Sequence, residues 1–260
     1  MKSTLMRIAL VSFLFVLFIP NLASAELKTF IKEYTYQASD EDSKNSSRTI
    51  ALREVKRLLL EELGTYLESV TEVKDFKLTK DQIATLTAGI VKTEIVEEKW
   101  DGRTYWLKSK IAADSGEVIK AIAGLRKDRV KTKELEEVRK RSDELLRENE
   151  RLRKELTVAK GHMKQKKEAA YNKTIKELTS VDWFEKGYAS ETAGNHNDAI
   201  DAFSKAIELN PRYAKAYSKR GLAYNMVDNP ELAVEDFNRA IKLNPKDAGT
   251  YNNRGNVYTY

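Results

Sequence analysis

The 260-residue sequence contains no cysteine and only two histidines. Without cysteine, the chain can form no disulfide bond, bind no metal through thiolates and carry no lipid on an N-terminal cysteine. Its histidines, His162 and His196, belong to neither a His-x-x-x-His nor a Glu-x-x-His pair, so nothing predicts a zinc site. A phosphate-binding loop of the Gly-x-x-x-x-Gly-Lys type is also missing. We therefore expect a non-enzymatic protein with no catalytic residues, no bound metal and no cofactor.

Neither positive nor negative charge is in large excess. The chain has 46 lysines and arginines against 40 aspartates and glutamates, which gives a formal net charge of +6. Charged residues make up 33% of the sequence, and the two signs are interspersed. This pattern is typical of a solvated surface, whereas a nucleic-acid-binding domain concentrates positive charge on one face. We expect no nucleic-acid partner.

The first 25 residues are typical of a secretory signal peptide. A basic start is followed by Ile8–Ile19, a run of 12 residues that is apolar except for one serine, and then by Ala23-Ser24-Ala25. Small residues at this spacing mark a cleavage site before Glu26. The alternative is a retained anchor, but a spanning helix needs about 20 apolar residues. The sequence therefore predicts a signal peptide over residues 1–25 and a bacterial protein of the periplasm or the medium. It predicts no lipoprotein, and no integral membrane segment after cleavage.

Residues 27–127 are predicted to form a small α+β domain. Apolar residues recur at helical spacing between 51 and 70, which predicts a long amphipathic helix after an initial extended stretch. Two β-rich runs, 89–98 and 103–112, are joined at Asp101-Gly102. Asp-Gly between such runs favours a tight hairpin turn, so we expect the two runs to pair as strands.

Capping residues mark two further helices in this domain. Thr79 and Gln82 form a capping box for a short helix, and Asp114 or Ser115 caps the last helix. The resulting order is strand, helix, short helix, strand, strand, helix. This order resembles small exported domains of some bacterial envelope lipoproteins and the N-terminal part of the flagellar assembly protein T. The resemblance implies a setting in the cell envelope and assigns no ligand.

Residues 129–168 contain no proline and no Phe, Tyr or Trp, and are dense in lysine, arginine and glutamate. Less polar residues follow a heptad in two rows: Leu135, Ser142, Asn149, Leu156 and Met163 in one, and Val138, Leu145, Leu152 and Ala159 in the other. A lone asparagine in such a core fixes the register of a parallel two-stranded coiled coil. The heptad therefore predicts a coiled-coil homodimer. The alternative is a single charged helix stabilised by pairs such as Glu150–Lys154.

The C-terminal third of the sequence repeats itself at an offset of 34 residues. Residues 180–213 and 214–247 match in size and type at six positions: Trp183/Tyr217, Gly187/Gly221, Ala199/Ala233, Phe203/Phe237, Ala206/Ala240 and Pro211/Pro245. A third copy begins with Tyr251, Gly255 and Tyr258. This pattern resembles the tetratricopeptide repeat, a pair of antiparallel helices that usually serves to bind other proteins. We expect two complete repeats and one further helix over residues 180–260.

The residues themselves indicate how each repeat packs. Gly187 and Gly221 are expected where two helices cross closely, and Ala199, Phe203 and Ala206 form a stripe at i, i+4 and i+7. Asparagine-proline pairs end the second helix, because proline lacks a donor and disfavours helical geometry in the residue before it. Two interpretations of residues 247–260 stay open: a capping helix, or an array cut at Tyr260.

The resemblance also implies a binding surface, because such repeats bind peptides on a concave groove formed by their first helices. The matching positions in this sequence are Phe184, Tyr188, Ser218, Leu222, Asn225, Asn252 and Asn256. A carboxylate-gripping groove needs lysine and asparagine where this chain has Phe184 and Tyr188, and lysine and arginine where it has Asn252 and Asn256. We therefore expect an extended or helical segment of a partner protein. Alternatively, Phe184 and Tyr188 only cover an end left exposed by the lack of a preceding repeat.

The sequence thus predicts a mainly α fold, with a small α+β N-terminal domain, a coiled-coil stalk and C-terminal helical-hairpin repeats. The function expected from this organisation is that of an exported adaptor or scaffold that binds a partner protein. Two alternatives remain, a regulatory or accessory subunit of a cell-envelope enzyme and a structural component of an envelope or flagellar assembly.

Overall fold

A computed structural model describes residues 27–69 and 78–258 of the chain. The predicted signal peptide, residues 1–25, and Tyr260 lie outside the described residues. The described part is mainly helical with one small sheet, as predicted.

The N-terminal domain, which we call the head, has the predicted order of elements. They are β1 (Leu27–Gln37), α1 (Lys44–Ser69), α2 (Lys80–Ala88), β2 (Glu94–Trp100), β3 (Thr104–Asp114) and α3 (Ser115–Lys127). The capping box of Thr79 and Gln82 is confirmed at the start of α2. Asp114 caps α3 by accepting from the backbone N–H of Glu117 at 3.0 Å. Local hydrogen-bonding chemistry therefore sets both helix starts.

Strand β2 begins later than its sequence predicts, at Glu94 instead of residue 89. The amides of Gly89 and Ile90 donate to the carbonyls of Leu86 and Thr87 at the end of α2. These two amides are therefore not available for hydrogen bonds to a neighbouring strand. The predicted turn is in place, because Gly102 has a φ of +99° and the carboxylate of Asp101 accepts from the amide of Thr104 at 2.6 Å.

The sheet has the strand order β1-β3-β2, and both pairs are antiparallel. Alternate residues of β3, including Tyr105, Leu107 and Ile111, are buried on one face. This face packs on α1, where Ala51 and Val55 join Tyr105 and Leu107 in one apolar cluster. The buried face of β3, which produces the period-2 alternation, and the apolar stripe of α1 thus pack together in one core.

The predicted coiled coil is replaced by a hairpin inside one chain. Helix α4 (Arg129–Leu156) is followed by a turn and by α5 (Gly161–Thr192). The two helices run antiparallel, since Arg141 donates to Glu177 at 2.7 Å near their middle and Lys167 pairs with Glu155 at the turn. The heptad residues Leu135, Val138, Ser142, Leu145, Asn149, Leu152 and Leu156 are all buried within this single chain.

The prediction of a dimer through this stripe is therefore wrong for this structure, because the surface that a second chain needs is already covered. The heptad also stops earlier than predicted. Helix α4 ends at Leu156, and Met163, assigned to the core row, is 55% exposed at the start of α5. A heptad shows that a helix has an apolar stripe, but it does not show which helix covers that stripe.

The repeats are built from α5, α6 (His196–Leu209), α7 (Ala214–Met226), α8 (Pro230–Leu243) and α9 (Ala248–Val257). The last part of α5 serves as the first helix of the first repeat. A Cβ added to Gly187 would lie 2.7 Å from the ring of Phe203, and one added to Gly221 would lie 3.0 Å from the ring of Phe237. The predicted close crossings are confirmed. Helices α6 and α8 end at asparagines that precede proline, also as predicted.

The head and the repeats share one hydrophobic core, which runs from Phe30 and Ile111 in the sheet to Phe203 in α6. Polar contacts between α1 and α5 lie beside it. Arg53 pairs with Asp182 at 2.6 Å, with both side chains at least four-fifths buried, and a second ion pair joins Lys56 to Glu185. Helix α1 therefore holds the head directly on the first helix of the repeats.

A second tie between the head and the hairpin centres on Asp42, whose side chain is fully buried. Its carboxylate accepts from the hydroxyl of Tyr36 at 3.1 Å and from the amide of Ser39 at 2.8 Å. It also accepts from the hydroxyl of Tyr171 in α5 and lies 3.3 Å from Nε of Arg153 in α4. The loop after β1 is thus fixed to both helices of the hairpin.

Candidate functional site

The first helices of the repeats, α5, α7 and α9, lie side by side. The hydroxyls of Ser218 in α7 and Thr250 in α9 are 2.8 Å apart, and Lys219 in α7 lies 3.8 Å from Glu191 in α5. We call the seven residues predicted from the repeat pattern the groove face. Two of them lie in α5, three in α7 and two in α9: Phe184, Tyr188, Ser218, Leu222, Asn225, Asn252 and Asn256.

The α5 part of the groove face is closed. Phe184 is fully buried and Tyr188 is 2% exposed. The ring centroid of Phe184 lies 5.4 Å from that of Phe203 and 5.0 Å from that of Tyr213. The prediction that Phe184 and Tyr188 line an open groove is therefore wrong. The physical reason is that aromatic residues of this size need an apolar partner, and the same chain supplies one.

For Tyr188, that partner is α4 together with the end of α2. A Cβ added to Gly89 would lie 2.9 Å from Leu135 in α4 and 3.2 Å from the ring of Tyr188, so the three residues meet at one point. The alternative interpretation, in which the aromatics simply cover a bare end, also needs correction. Phe184 packs on Phe203 of α6 and on Tyr213, whereas Tyr188 packs beside Leu135 of α4.

Helix α4 is fixed on the groove face by a cluster of ion pairs that the sequence did not predict. Glu137 pairs with Lys215 at 2.6 Å, and Glu134 pairs with Lys219 at 2.9 Å. The side chain of Lys219 is only 12% exposed. Burial on its own lowers the pKa of Lys219, but the carboxylates of Glu191 and Glu134 outweigh burial and raise it above its usual value. Lys219 therefore stays charged between α4 and α5.

Glu191 is the residue of this cluster whose ionised form is disfavoured. Its side chain is 15% exposed, and burial raises its pKa, an effect that Lys219 only partly offsets. The titratable groups around it come from three elements: Lys219 in α7, Glu134 and Lys131 in α4, and His196 in α6. A carboxyl whose pKa is raised on folding destabilises the folded chain above that pKa, and this cost disappears as the pH falls.

Glu191→Gln should therefore melt at a higher temperature than the wild type near pH 8 and at nearly the same temperature near pH 4. The glutamine has the shape of the protonated acid, so the difference between the two proteins isolates the ionisation of this group. Differential scanning calorimetry of both proteins over this range measures it. A difference in melting temperature that stays constant or shrinks as the pH rises would contradict the assignment.

The α7 and α9 parts of the groove face stay open. Ser218, Leu222 and Asn225 are half-buried, and Asn252 and Asn256 are exposed. Sequence reasoning missed Met226, which is 57% exposed. Its spacing could have revealed it, because Ser218, Leu222 and Met226 follow one another at i, i+4 and i+8 and share a face of α7. We call these six residues the open groove.

The open groove has the chemistry of a peptide-binding surface. A primary amide both donates and accepts, so three asparagines can hydrogen-bond to a peptide backbone without requiring a charge. Leu222 and Met226 offer an apolar contact, and methionine adapts its shape to different partners. In the described ranges, 27–69 and 78–258, no group of His, Asp or Glu could hold a metal ion. None of the helices described there is long and apolar enough to cross a membrane.

Comparison with known proteins agrees with the repeat pattern. The model of the tetratricopeptide repeat family matches residues 214–247, and a second TPR repeat model matches residues 192–227. No curated protein matches the chain.

Two solved structures resemble the chain over part of its length. A crystal structure of MamA is 27% identical over 37% of this chain, and this chain spans 58% of that one. A second crystal structure of MamA protein is 22% identical over 56% of this chain and 71% of its own. Both comparisons have a TM-score of 0.31, which is too low to support a shared arrangement or function. The two family matches and the packing at Gly187 and Gly221 lead to one conclusion: the chain contains tetratricopeptide repeats, which the family models match over residues 192–247.

Proposed function

We propose that the chain is a non-enzymatic adaptor of the bacterial cell envelope, which binds a segment of a partner protein in the open groove. The observation that carries this proposal is the contrast along the groove face. Its aromatic part is buried within the chain, whereas Leu222, Met226 and the three asparagines remain accessible beside it. Tetratricopeptide repeats are protein-binding modules, which supports the same assignment.

Helix α4 is expected to stay in place when a partner binds. It buries five aliphatic side chains: Leu135, Val138, Leu145, Leu152 and Leu156. At roughly 1.5–3 kcal/mol for each fully buried side chain, their removal costs on the order of 10 kcal/mol. That is as large as the whole stability of a typical domain, about 5–15 kcal/mol. A partner therefore binds beside α4 and does not displace it.

The setting in the envelope is part of the proposal and depends on the N-terminal sequence. The apolar run Ile8–Ile19 and the Ala23-Ser24-Ala25 site favour export and cleavage before Glu26. A full-length N-terminus on the protein recovered from its host would contradict export. The proposal includes one groove per chain, since the heptad stripe of α4 is buried within the chain.

Replacing Leu222 and Asn252 together by alanine should weaken capture of the partner at least about tenfold while leaving the melting temperature nearly unchanged. Loss of an interface anchor typically costs about 2 kcal/mol, which exceeds tenfold in affinity. The measurement is quantitative mass spectrometry of proteins retained from envelope extract by the immobilised mature chain, with and without the substitutions.

Asn197→Ala is the matched control, because Asn197 is an exposed amide in α6, outside the groove face. It should retain the same proteins as the wild type. If the Leu222 and Asn252 variant also retains them all, the open groove is not the binding site. If it melts much earlier than the wild type, Leu222 is a core residue and its assignment to the groove is wrong.

A further inference from the structure

A pocket of about 250 Å³ lies between the head and the first repeat. Its walls come from α1, from the end of α2 with the connector to β2, and from one side of α5. Within the described residues, its lining and the groove face have no member in common. A ligand in this pocket would contact the head and the repeats together, and ligand sites occur preferentially at such interfaces.

Contacts between α1 and α5 hold one wall of the pocket in place. The hydroxyls of Thr49 and Thr179 are 3.1 Å apart, and Lys56 pairs with Glu185 about two turns further along both helices. These four residues line the pocket, and its α5 side continues to Ala189. Because the contacts form within the chain, the pocket needs no ligand to take its shape.

The interior of the pocket is mostly apolar. Val91 is 7% exposed and Ala189 is 2% exposed, so both belong to the core of the molecule. The apolar side chains of the lining are Leu52, Ala88, Val91, Ile95, Trp183 and Ala189. A dry cavity of roughly 150 Å³ holds one benzene ring. The pocket is therefore large enough for an aromatic ring with a short chain attached.

The charged residues of the lining are mainly positive. They are the cations Arg48, Lys56, Lys92 and Lys186 and the carboxylates Asp182 and Glu185. Both carboxylates already have partners, since Asp182 pairs with Arg53 and Glu185 pairs with Lys56. The charges that remain at the edge of the pocket therefore favour a ligand with a negative group.

Lys186 is the cation best placed to receive that group. Its ammonium lies 4.8 Å from the centroid of the Trp183 ring, and it has no carboxylate partner among the described residues. Arg48 and Lys92, by contrast, pair with carboxylates outside the lining. Lys186 is exposed, so a carboxylate can reach it from the mouth of the pocket without being buried.

We propose that this pocket binds a small amphipathic anion, with an aromatic or branched apolar body and one carboxylate. The apolar body packs against Leu52, Val91 and Trp183, and the carboxylate pairs with Lys186. A polypeptide segment is a poorer occupant, because its N–H and C=O groups would find few partners in an apolar interior. The site goes beyond the adaptor function and does not depend on it, since the open groove is formed by other residues.

The test uses 4-phenylbutyrate as the probe and isothermal titration calorimetry of the full mature chain. With about 12 non-hydrogen atoms, the probe should bind with a dissociation constant near or below about 1 mM. The uncharged 4-phenylbutyramide should bind about threefold more weakly, as expected for the loss of an exposed ion pair. The acid should also raise the melting temperature of the chain, because it binds only the folded state.

Leu52→Trp tests the position of the site. Leu52 is half-buried in α1, and the larger indole should occupy the pocket and abolish binding of 4-phenylbutyrate. Leu232→Trp is the matched control, because Leu232 is 38% exposed in α8 and lies outside the pocket. This control should bind the acid as the wild type does. Melting curves of both variants show that they are folded.

Lys186→Met tests the charge without changing the core, because Lys186 is exposed. It should weaken binding of the acid about threefold and leave binding of the amide unchanged. Lys166→Met changes another exposed lysine of α5, away from the pocket, and should alter neither affinity.

Wild-type affinity of Leu52→Trp for the acid, or equal affinities of the wild type for the acid and the amide, would overturn the proposal. Absence of binding up to about 10 mM acid would overturn it as well. If the acid does not bind and Leu52→Trp loses proteins that the wild type retains from envelope extract, the pocket receives a side chain of a partner protein instead.

Discussion

Replacing Phe184 by alanine is expected to lower the free energy of unfolding by about 3–5 kcal/mol, the usual cost of truncating a fully buried phenylalanine. Phe184 is 0% exposed and contacts the rings of Phe203, Tyr213 and Tyr188, so it packs α5 against α6 and against the residue that precedes α7. Its removal leaves a cavity that these rigid rings fill poorly. Urea titration followed by circular dichroism measures the loss.

The control for this prediction is Leu222→Ala, which changes a half-buried residue of the same groove face. It should cost clearly less stability than Phe184→Ala, because its side chain is already partly in contact with water. Equal stability of Phe184→Ala and wild type would show that Phe184 is accessible in solution. In that case α5 would not pack on α6 and Tyr213 as it does in the structure.

The second large effect concerns the ion pair between the head and the repeats. Arg53→Ala should destabilise the chain by about 3–5 kcal/mol, because it leaves the carboxylate of Asp182 buried without a counter-charge. The side chains of Arg53 and Asp182 are 9% and 17% exposed and lie 2.6 Å apart. Thermal and urea unfolding of the variant measure the cost.

Two further variants separate the pair from the surrounding packing. The double variant Arg53→Met and Asp182→Leu should recover most of the lost stability, since it removes both charges and keeps the volume. Lys154→Ala breaks an exposed pair, with side chains 75% and 65% accessible, and should change stability by less than about 1 kcal/mol. If the double variant is as unstable as Arg53→Ala, the loss comes from packing and not from an unpaired charge.

Much of the fold follows from local patterns in the sequence. The offset of 34 residues predicts the helical hairpins, because each glycine and phenylalanine pair meets within one repeat. The capping box at Thr79 and Gln82 and the cap at Asp114 depend only on nearby residues, and both are confirmed. Interactions between residues that are close in sequence can therefore be predicted from the sequence.

Apart from the start of β2 and the end of the heptad, the predictions that failed concern contacts between distant segments. The heptad of α4 has the same appearance whether its stripe packs on a second chain or on α5 of the same chain. Phe184 and Tyr188 occupy positions at which the repeat pattern predicts a groove, and only the fold reveals that other segments of the chain bury them. The accessibility of Asn225 and Asn252 was easier to predict, because both belong to the repeat and no distant segment among the described residues covers them.

The length of α5 has a consequence for how the molecule unfolds. This one helix, Gly161–Thr192, packs on α1 of the head, pairs with α4 and supplies the first helix of the repeats. A free-standing array frays from its ends, because each unit depends only on its neighbours. Here the N-terminal repeat can unfold only if its contacts with the head and the hairpin are broken as well. The first repeat therefore unfolds as one cooperative unit with the head and the hairpin.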